Sequence, residues 1–521
     1  MGKRFNITGL CLPNRHYMAD VSSKLNIALS MIEQGEYFAI NRPRQYGKTT
    51  TLNSLTNLLN EKGGYIVLNS SFEGIGDAIF EEEATFSQGF VEILAKYTSE
   101  SDTSLAQWLL QEAPRVRSLK LLELFISEFL NKTPKKVVLL IDEVDKSSNN
   151  QLFVSFLAML RNKYLENHRF KTFHSVVLSG LHDVKTLKIK LRPDSEKKLN
   201  SPWNIATDFN VDMTLNPQEI KSMLDEYVAD KKIETNTEGV AERLFYYTSG
   251  YPFLVSKLCK MYDEEILPAK TDNTWTNEDI DKCVKKLIGE NNTNFDSLTK
   301  NIEEYQDLYA LVYRVAVDGE QIPFNIHNQD IHIGILHGIF RDGNGHGLKI
   351  HNRIYNEVLL NYMSFKVLLA QPRDSMEVGM SYKNNDDTLN MQSTLLGFQA
   401  FLKKEYSKKD RDFIEKQGRL VFLAFMKPII NGKGFDFKEV QISEERRLDV
   451  VITYMREKFV AELKIWRGEK AHAKGLKQLC NYLDIQGLDE GFLLIFDHSE
   501  VKKWDSGWVE TQGKRIFIAW V

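Results

Sequence analysis

The stretch "EYFAINRPRQYGKTTTLNSLTNLLNEK", residues 36–62, constrains the fold more than any other part of the chain. It reads as a short apolar strand, a basic loop ending in Gly47-Lys48-Thr49, and a helix with Leu52, Leu55, Leu58 and Leu59 at helical spacing. A loop that follows a buried strand and opens a helix aims its backbone N–H groups, and the positive end of the helix dipole, at phosphate oxygens. The spacing G-x-x-x-x-G-K-[ST] is met in its second half only, because Arg42 stands where the first glycine belongs. In this reading Arg44, Gln45, Gly47, Lys48, Thr49 and Thr50 supply the cradle, Lys48 reaches the β/γ-phosphates and Thr49 holds Mg²⁺.

An isolated G-K-T is ordinarily a surface turn. Two later segments argue otherwise here. "KKVVLLIDEVDK" reads as a buried parallel strand, Val137 to Ile141, closed by Asp142 and Glu143. Asp142 is expected in the Mg²⁺ shell, and Glu143 is expected to polarise an attacking water. "SVVLSG" is a third strand, ending in Ser179, a polar residue placed to sense a γ-phosphate. Arg161 and Arg192 are further phosphate-sensing candidates, each more simply read as a structural arginine.

A chain of 521 residues argues for several domains. Its net charge of −4 excludes a general polycation, so any nucleic-acid contact comes from local patches. No apolar run approaches the roughly 18 residues of a membrane span. The start lacks a signal-peptide core, and Cys11, Cys259, Cys283 and Cys480 lie far apart, as expected of reduced thiols in a cytoplasm. "LNPQEIKSMLDEYVAD" opens a helical region, with Asn216 as N-cap and Pro217 at the first helical position. Residues 296–370 read as helices around a Gly/Asn-rich turn between two short strands, "GILHGIF" and "LKIHN". That is a winged-helix pattern, whose five histidines match no zinc spacing. The polar segment 371–392 is a linker.

The last third carries a second constellation. "LDVVITY" and "KFVAELKIW" read as a hairpin turning near Arg456–Glu457. Strand periodicity puts Glu462 and Lys464 on one face, and the turn puts Asp449 roughly across from Lys464. Clustered carboxylates hold the metal ions that phosphodiester cleavage uses, and a lysine beside them neutralises charge. The helix "AKGLKQLCNYL" follows, with Lys474, Gln478 and Tyr482 sharing a face, and Glu415 lies upstream on a predicted helix. The alternative is a sheet domain with a salt-bridged hairpin.

"RPRQYGKTT", "LLIDEVD", "VVLSG", "SPWNIATDF" and "SGYPFLV" resemble bacterial AAA-like ATPases related to the STAND class. The spacing Asp449-x12-Glu462-x-Lys464, with Gln478 and Tyr482 on the next helix, resembles the PD-(D/E)xK nucleases. In this order the two halves resemble the bacterial family that joins such an ATPase to a C-terminal nuclease domain. The resemblance implies an α/β multidomain chain: a P-loop parallel-sheet ATPase over 1–210, a helical lid over 211–295, a winged helix over 296–370 and a mixed-sheet restriction-endonuclease-like domain over 393–521. It implies ATP and Mg²⁺ as cofactors, with Mn²⁺ an option at the nuclease site. Metal ligands would be Thr49 and Asp142 in the first site, and Asp449, Glu462 and Glu415 in the second. It places His16 and Tyr17 of the lead-in segment near adenine, with packing roles as the alternative. The expected partner is DNA, with RNA open, no membrane, a homo-oligomer and a trigger molecule as further options, and a role in defence by analogy. The rival expectation is a STAND-like signalling scaffold that binds DNA without cutting it.

Overall fold

In the computed structural model the described residues are 2–71, 81–144, 151–180, 205–290, 292–317, 320–343, 345–369, 382–384, 386, 388–405, 421–423, 425–426, 429, 434–438, 450–454, 457–466, 468–497 and 503–521. The chain divides into two compact units. The first comprises Met1–Asn294, His327–Phe340 and His351–Ile354, and the second Phe295–Ile326, Arg341–Ile350 and Tyr355–Val521.

The first unit is built on strands β1 (Tyr37–Asn41), β2 (Tyr65–Ser71), β3 (Lys136–Asp142), β4 (Ser175–Gly180) and β5 (Thr207–Asp208). Their order is β2-β3-β4-β1-β5, with every pair parallel. Val137–Ile141 of β3 are buried throughout, as a strand covered on both faces requires. Helices α1 (Ser22–Glu33), α2 (Lys48–Lys62), α3 (Glu83–Thr98), α4 (Thr103–Glu112), α5 (Leu119–Asn131) and α6 (Gln151–Leu165) complete this α/β part. Phe86 and Phe90 of α3, Phe125 and Phe129 of α5 and Phe153 and Phe156 of α6 join Ile66, Leu68, Leu139 and Leu178 in one core. The register pairs Ile40 with Ser179 and Ile141 with Leu178, so the carboxyl ends of β1, β3 and β4 finish level. Such an edge of a parallel sheet is where ligands bind in open α/β folds.

Helices α7 (Pro217–Lys231), α8 (Thr237–Thr248), α9 (Pro252–Met261) and α10 (Asn277–Ile288) follow. Asn216 caps α7, as its sequence foretold, and the structure adds a full capping box with Glu219. Gly250 (φ 73°) is obligatory: a Cβ there would stand 2.1 Å from the Leu215 carbonyl oxygen.

Mostly within the second unit, helices over Thr293–Glu304 and Gln306–Ala316 precede the short strands β6 (Phe340–Asp342) and β7 (Leu348–Ile350), and a helix over Arg353–Leu369 follows them, the ends Thr293–Asn294, Phe340 and Arg353–Ile354 belonging to the first. The first wing strand is therefore later than "GILHGIF" suggested, because residues 329–336 are helical. A six-stranded sheet closes the chain in the order β12-β13-β11-β10-β9-β8. Its strands are β8 (Gly434–Lys438), β9 (Val450–Tyr454), β10 (Glu457–Ile465), β11 (Glu490–Phe496), β12 (Ser506–Thr511) and β13 (Lys514–Trp520). The sheet is mixed: β10–β11 and β11–β13 are parallel, the remaining pairs antiparallel. One long helix, α11 (Glu469–Gln486), covers a face through Leu479, Cys480 and Leu483 against Val451, Val460, Leu493 and Ile495.

Candidate functional sites at the carboxyl edge of the parallel sheet and on strand β10

The loop from β1 to α2 turns through positive φ at Gln45 (58°) and Gly47 (79°), not at Arg42. The missing first glycine is thus no obstacle, since the backbone does not require one there. The Arg42 side chain is engaged within the protein. Its guanidinium donates to the Phe209 carbonyl (3.2 Å) and the Val211 carbonyl (2.7 Å), and sits 6.0 Å from the Phe209 ring. Burial lowers its pKa from the ordinary arginine value. Arg42 ties the loop to the segment following β5, a partnership across 167 residues in sequence that no local motif encodes.

Lys48 Nζ donates to the carbonyls of Arg42 (2.9 Å) and Pro43 (2.8 Å). Thr49 Oγ1 donates to Asp142 Oδ2 (2.5 Å), while Ser179 Oγ donates to Asp142 Oδ1 (2.7 Å). The loop helix, the acidic strand and the polar-tipped strand therefore meet on one carboxylate, only 4% exposed. Glu143 follows with φ 55°, a left-handed conformation costly for a residue with a side chain and concentrated at functional sites. Arg44 and Gln45 are exposed, and each anchors the loop. The Arg44 carbonyl accepts from Tyr251 Oη (2.7 Å), and Gln45 Oε1 from Asn294 Nδ2 (2.9 Å). Tyr251 belongs to the "SGYPFLV" element, so the helical region touches the loop directly. Tyr46 packs edge-on to Tyr251 and hydrogen-bonds His351 Nε2 at 2.8 Å.

Thr50 Oγ1 accepts from the Cys11 amide (3.1 Å), which fastens the N-terminal segment to α2. His16 is buried, and its Nδ1 accepts the Leu12 amide; burial and then the charges of Arg4 and Arg15 lower its pKa. Tyr17 is buried against Phe5 and Tyr227 and donates to Asp230. Both side chains thus have structural partners in this segment. Arg192 lies outside the described residues.

On β10, Lys464 Nζ pairs with Glu462 Oε1 at 2.6 Å and donates to Gln478 Oε1 at 3.3 Å. Glu462 is buried, 6% exposed, in a strand with neighbours on both sides. Tyr482, one turn beyond Gln478, has its hydroxyl buried with no hydrogen-bond partner among the described residues. The described ladder runs from Glu457↔Tyr454 to Ala461↔Val450, so the hairpin forms, but Glu457 is already paired and not in the turn, which shifts the register by two residues from the one that set Asp449 across from Lys464. Asp449 and Glu415 lie outside the described residues. Among the described residues no group of three His, Cys, Asp or Glu side chains is placed to hold a metal ion. One residue escaped the sequence reading: Gly475, where a Cβ would stand 2.1 Å from Lys464 Nζ. Its signal was a glycine inside a helical pattern, which costs about 1 kcal/mol relative to alanine and calls for a reason.

Three solved structures similar to the chain are a Walker-type ATPase of Pyrococcus abyssi, the RuvB Holliday junction branch migration motor of Thermotoga maritima and the ORC1 protein of Aeropyrum pernix in complex with DNA. The first is 13% identical, with a TM-score of 0.48, covering 68% of this chain and 99% of its own. The second is 14% identical, with a TM-score of 0.33 and coverages of 66% and 95%. The third is 11% identical, with a TM-score of 0.31 and coverages of 68% and 94%. No curated protein matches the chain. Among the described residues no helix is long and apolar enough to cross a membrane. The family model for the AAA-like domain matches residues 10–273, which hold the loop, the acidic strand, Ser179 and the "SGYPFLV" element. With half of its length matched and the parallel P-loop sheet in place, the chain belongs to the AAA-like domain family.

Proposed function

We propose that this protein binds and hydrolyses ATP in its first unit, and that its second unit is a metal-dependent phosphodiesterase acting on DNA and governed by nucleotide state. The observation that carries the ATPase reading is the Thr49–Asp142–Ser179 hydrogen-bond set at the mouth of α2. A hydroxyl and a carboxylate 2.5 Å apart are hard oxygen donors of the kind Mg²⁺ takes, so these residues fit the ion. Thr49 and Asp142 would hold it, and when bound beside ATP it neutralises charge on the β- and γ-phosphates. Lys48, now on two loop carbonyls, exchanges them for phosphate oxygens. The N–H groups of the loop and first turn bind the remaining phosphate oxygens. Glu143 orients the attacking water.

The second half of the proposal is supported by Glu462, Lys464 and Gln478 meeting on β10 and α11. Glu462, with Asp449 and Glu415, would hold Mg²⁺ or Mn²⁺, which activates water and stabilises charge on the leaving oxygen. Lys464 neutralises the phosphate, while Gln478 and Tyr482 position it. The close ion pair between Glu462 and Lys464 equally favours a second reading, a DNA-binding scaffold with a structural salt bridge. One experiment separates them: full-length protein with plasmid, linear and single-stranded nucleic acids, with and without ATP and Mg²⁺ or Mn²⁺. Metal-dependent cutting that responds to ATP is expected. Nucleotide binding without cutting under any condition leaves the scaffold.

A further inference from the structure

Strand alternation lines up Glu462, Lys464 and Trp466 on the face of β10 covered by α11. Most of that face is aliphatic, filled by Val451, Val460, Leu493 and Ile495. Beyond Lys464 its character changes. Trp466, whose amide still pairs with the Phe496 carbonyl, stands 4.6 Å from the ring of Trp520 at the end of β13. His472, in the first turns of α11, lies 5.7 Å from Trp466 and 6.0 Å from Trp520. The ammonium of exposed Lys503 sits 5.2 Å from the Trp520 ring and 5.6 Å from the Trp466 ring. Trp466 and Trp520 are half-buried rather than sealed in the core.

A cap over a sheet end needs only apolar volume. Two indoles tilted at 59°, an imidazole and a lysine ammonium lying over the rings form a different surface: π-faces for stacking, with positive charge beside them. Two residues of strand rise separate Trp466 from Lys464, about 7 Å. A phosphate at Lys464 therefore brings a base of its own strand within reach of the rings. We propose that Trp466, Trp520, His472 and Lys503 form a stacking shelf for a nucleobase of a single-stranded nucleic acid whose phosphate lies at Lys464. The shelf rests on the phosphodiesterase reading and deepens it by naming the form of the substrate.

The test measures binding of short fluorescent oligodeoxy- and oligoribonucleotides to the full-length protein in EDTA, where metal-dependent cutting is suppressed. A single abasic site is moved along the strand. One position is expected to lose roughly tenfold in affinity, the contribution of one stacked base. Trp466→Ala is expected to lose a similar factor on the intact strand and nothing further on that abasic strand, and Trp466→Phe to restore most of it. The DNA and RNA arms decide which sugar the shelf accepts. A flat abasic scan with wild-type protein overturns the proposal, even should Trp466→Ala fail to fold. So does a Trp466→Ala loss equal on intact and abasic strands, or absence of single-strand binding. Should the abasic pattern appear while metal never supports cutting, the shelf stands and the phosphodiesterase reading falls. Cutting together with a flat scan removes the shelf and keeps the phosphodiesterase.

Discussion

The two lysines of the candidate sites are held differently. Lys48 donates to two backbone carbonyls of its own loop, whereas Lys464 is paired with the carboxylate of a buried neighbour. Carbonyls at a solvent-facing loop can be rehydrated when their donor leaves. A carboxylate inside a sheet cannot, and stripping its partner leaves an uncompensated charge. The first lysine can change partners at little cost, and the second is part of what holds its domain together. A lysine held by loop carbonyls and one held by a buried carboxylate thus differ in what the protein loses when each is removed.

Removing each ammonium gives the widest separation. Lys48→Ala is expected to lower ATP affinity about a hundredfold, two charge-assisted hydrogen bonds being lost, with the melting temperature nearly unchanged. Calorimetric titration with ATP measures the first, and unchanged affinity would remove the P-loop reading. Lys464→Ala is expected to do the opposite, destabilising the second unit by about 3 kcal/mol. Denaturant unfolding measures it, and the pair Glu462→Gln with Lys464→Met should recover most of the loss. Equal stability of all three proteins would mean that the Glu462 charge needs no partner.

Gly475→Ala sharpens the comparison at one atom. The added methyl meets the far end of the Lys464 side chain, so the helix gains up to about 1 kcal/mol in propensity, but the displaced ammonium leaves Glu462 unpaired and the net is expected to be a loss of up to about 2 kcal/mol. With Lys464 out of its place, any metal-dependent cutting should fall by roughly tenfold for a charge-stabilising group displaced from the reaction. A variant that is more stable and equally active would show that the Lys464 position is not used. Arg42→Ala should have the smallest effect on ligands. It removes two hydrogen bonds to the segment after β5, costing about 1–3 kcal/mol, while ATP affinity moves less than about threefold. A large affinity loss without destabilisation would make Arg42 a phosphate ligand after all.

What was legible in the sequence follows the range of each interaction. Gly47, Lys48 and Thr49 are neighbours, and Asp142 and Ser179 announce themselves as polar ends of apolar runs, so the elements that meet at Asp142 were readable without coordinates. Asn216 as the cap of α7 was readable for the same reason. The hairpin of β9 and β10 emerged from alternation, and its register is now fixed as far as Val450↔Ala461. The partners of Arg42 at Phe209 and Val211 were not readable, because they are brought near only by the β1–β5 pairing. The first wing strand was misplaced because a short apolar run, 334–340, suits helix and strand equally, and the Asn328 cap settled its first part for helix. Trp466 and Trp520 lie on different strands far apart in sequence, and Gly475 matters only because α11 crosses over Lys464.

Strand β10 lies inside its sheet, hydrogen-bonded to β9 on one side and β11 on the other. Its amides should therefore be among the slowest in the second unit to exchange with deuterated solvent, released by global opening and not by fraying. The Glu462–Lys464 pair consequently sits on a rigid rail, which local breathing does not disturb on the timescale of binding. Gln478 is carried by α11, a layer over that rail, and it is there that a ligand-dependent change in exchange would first be measurable.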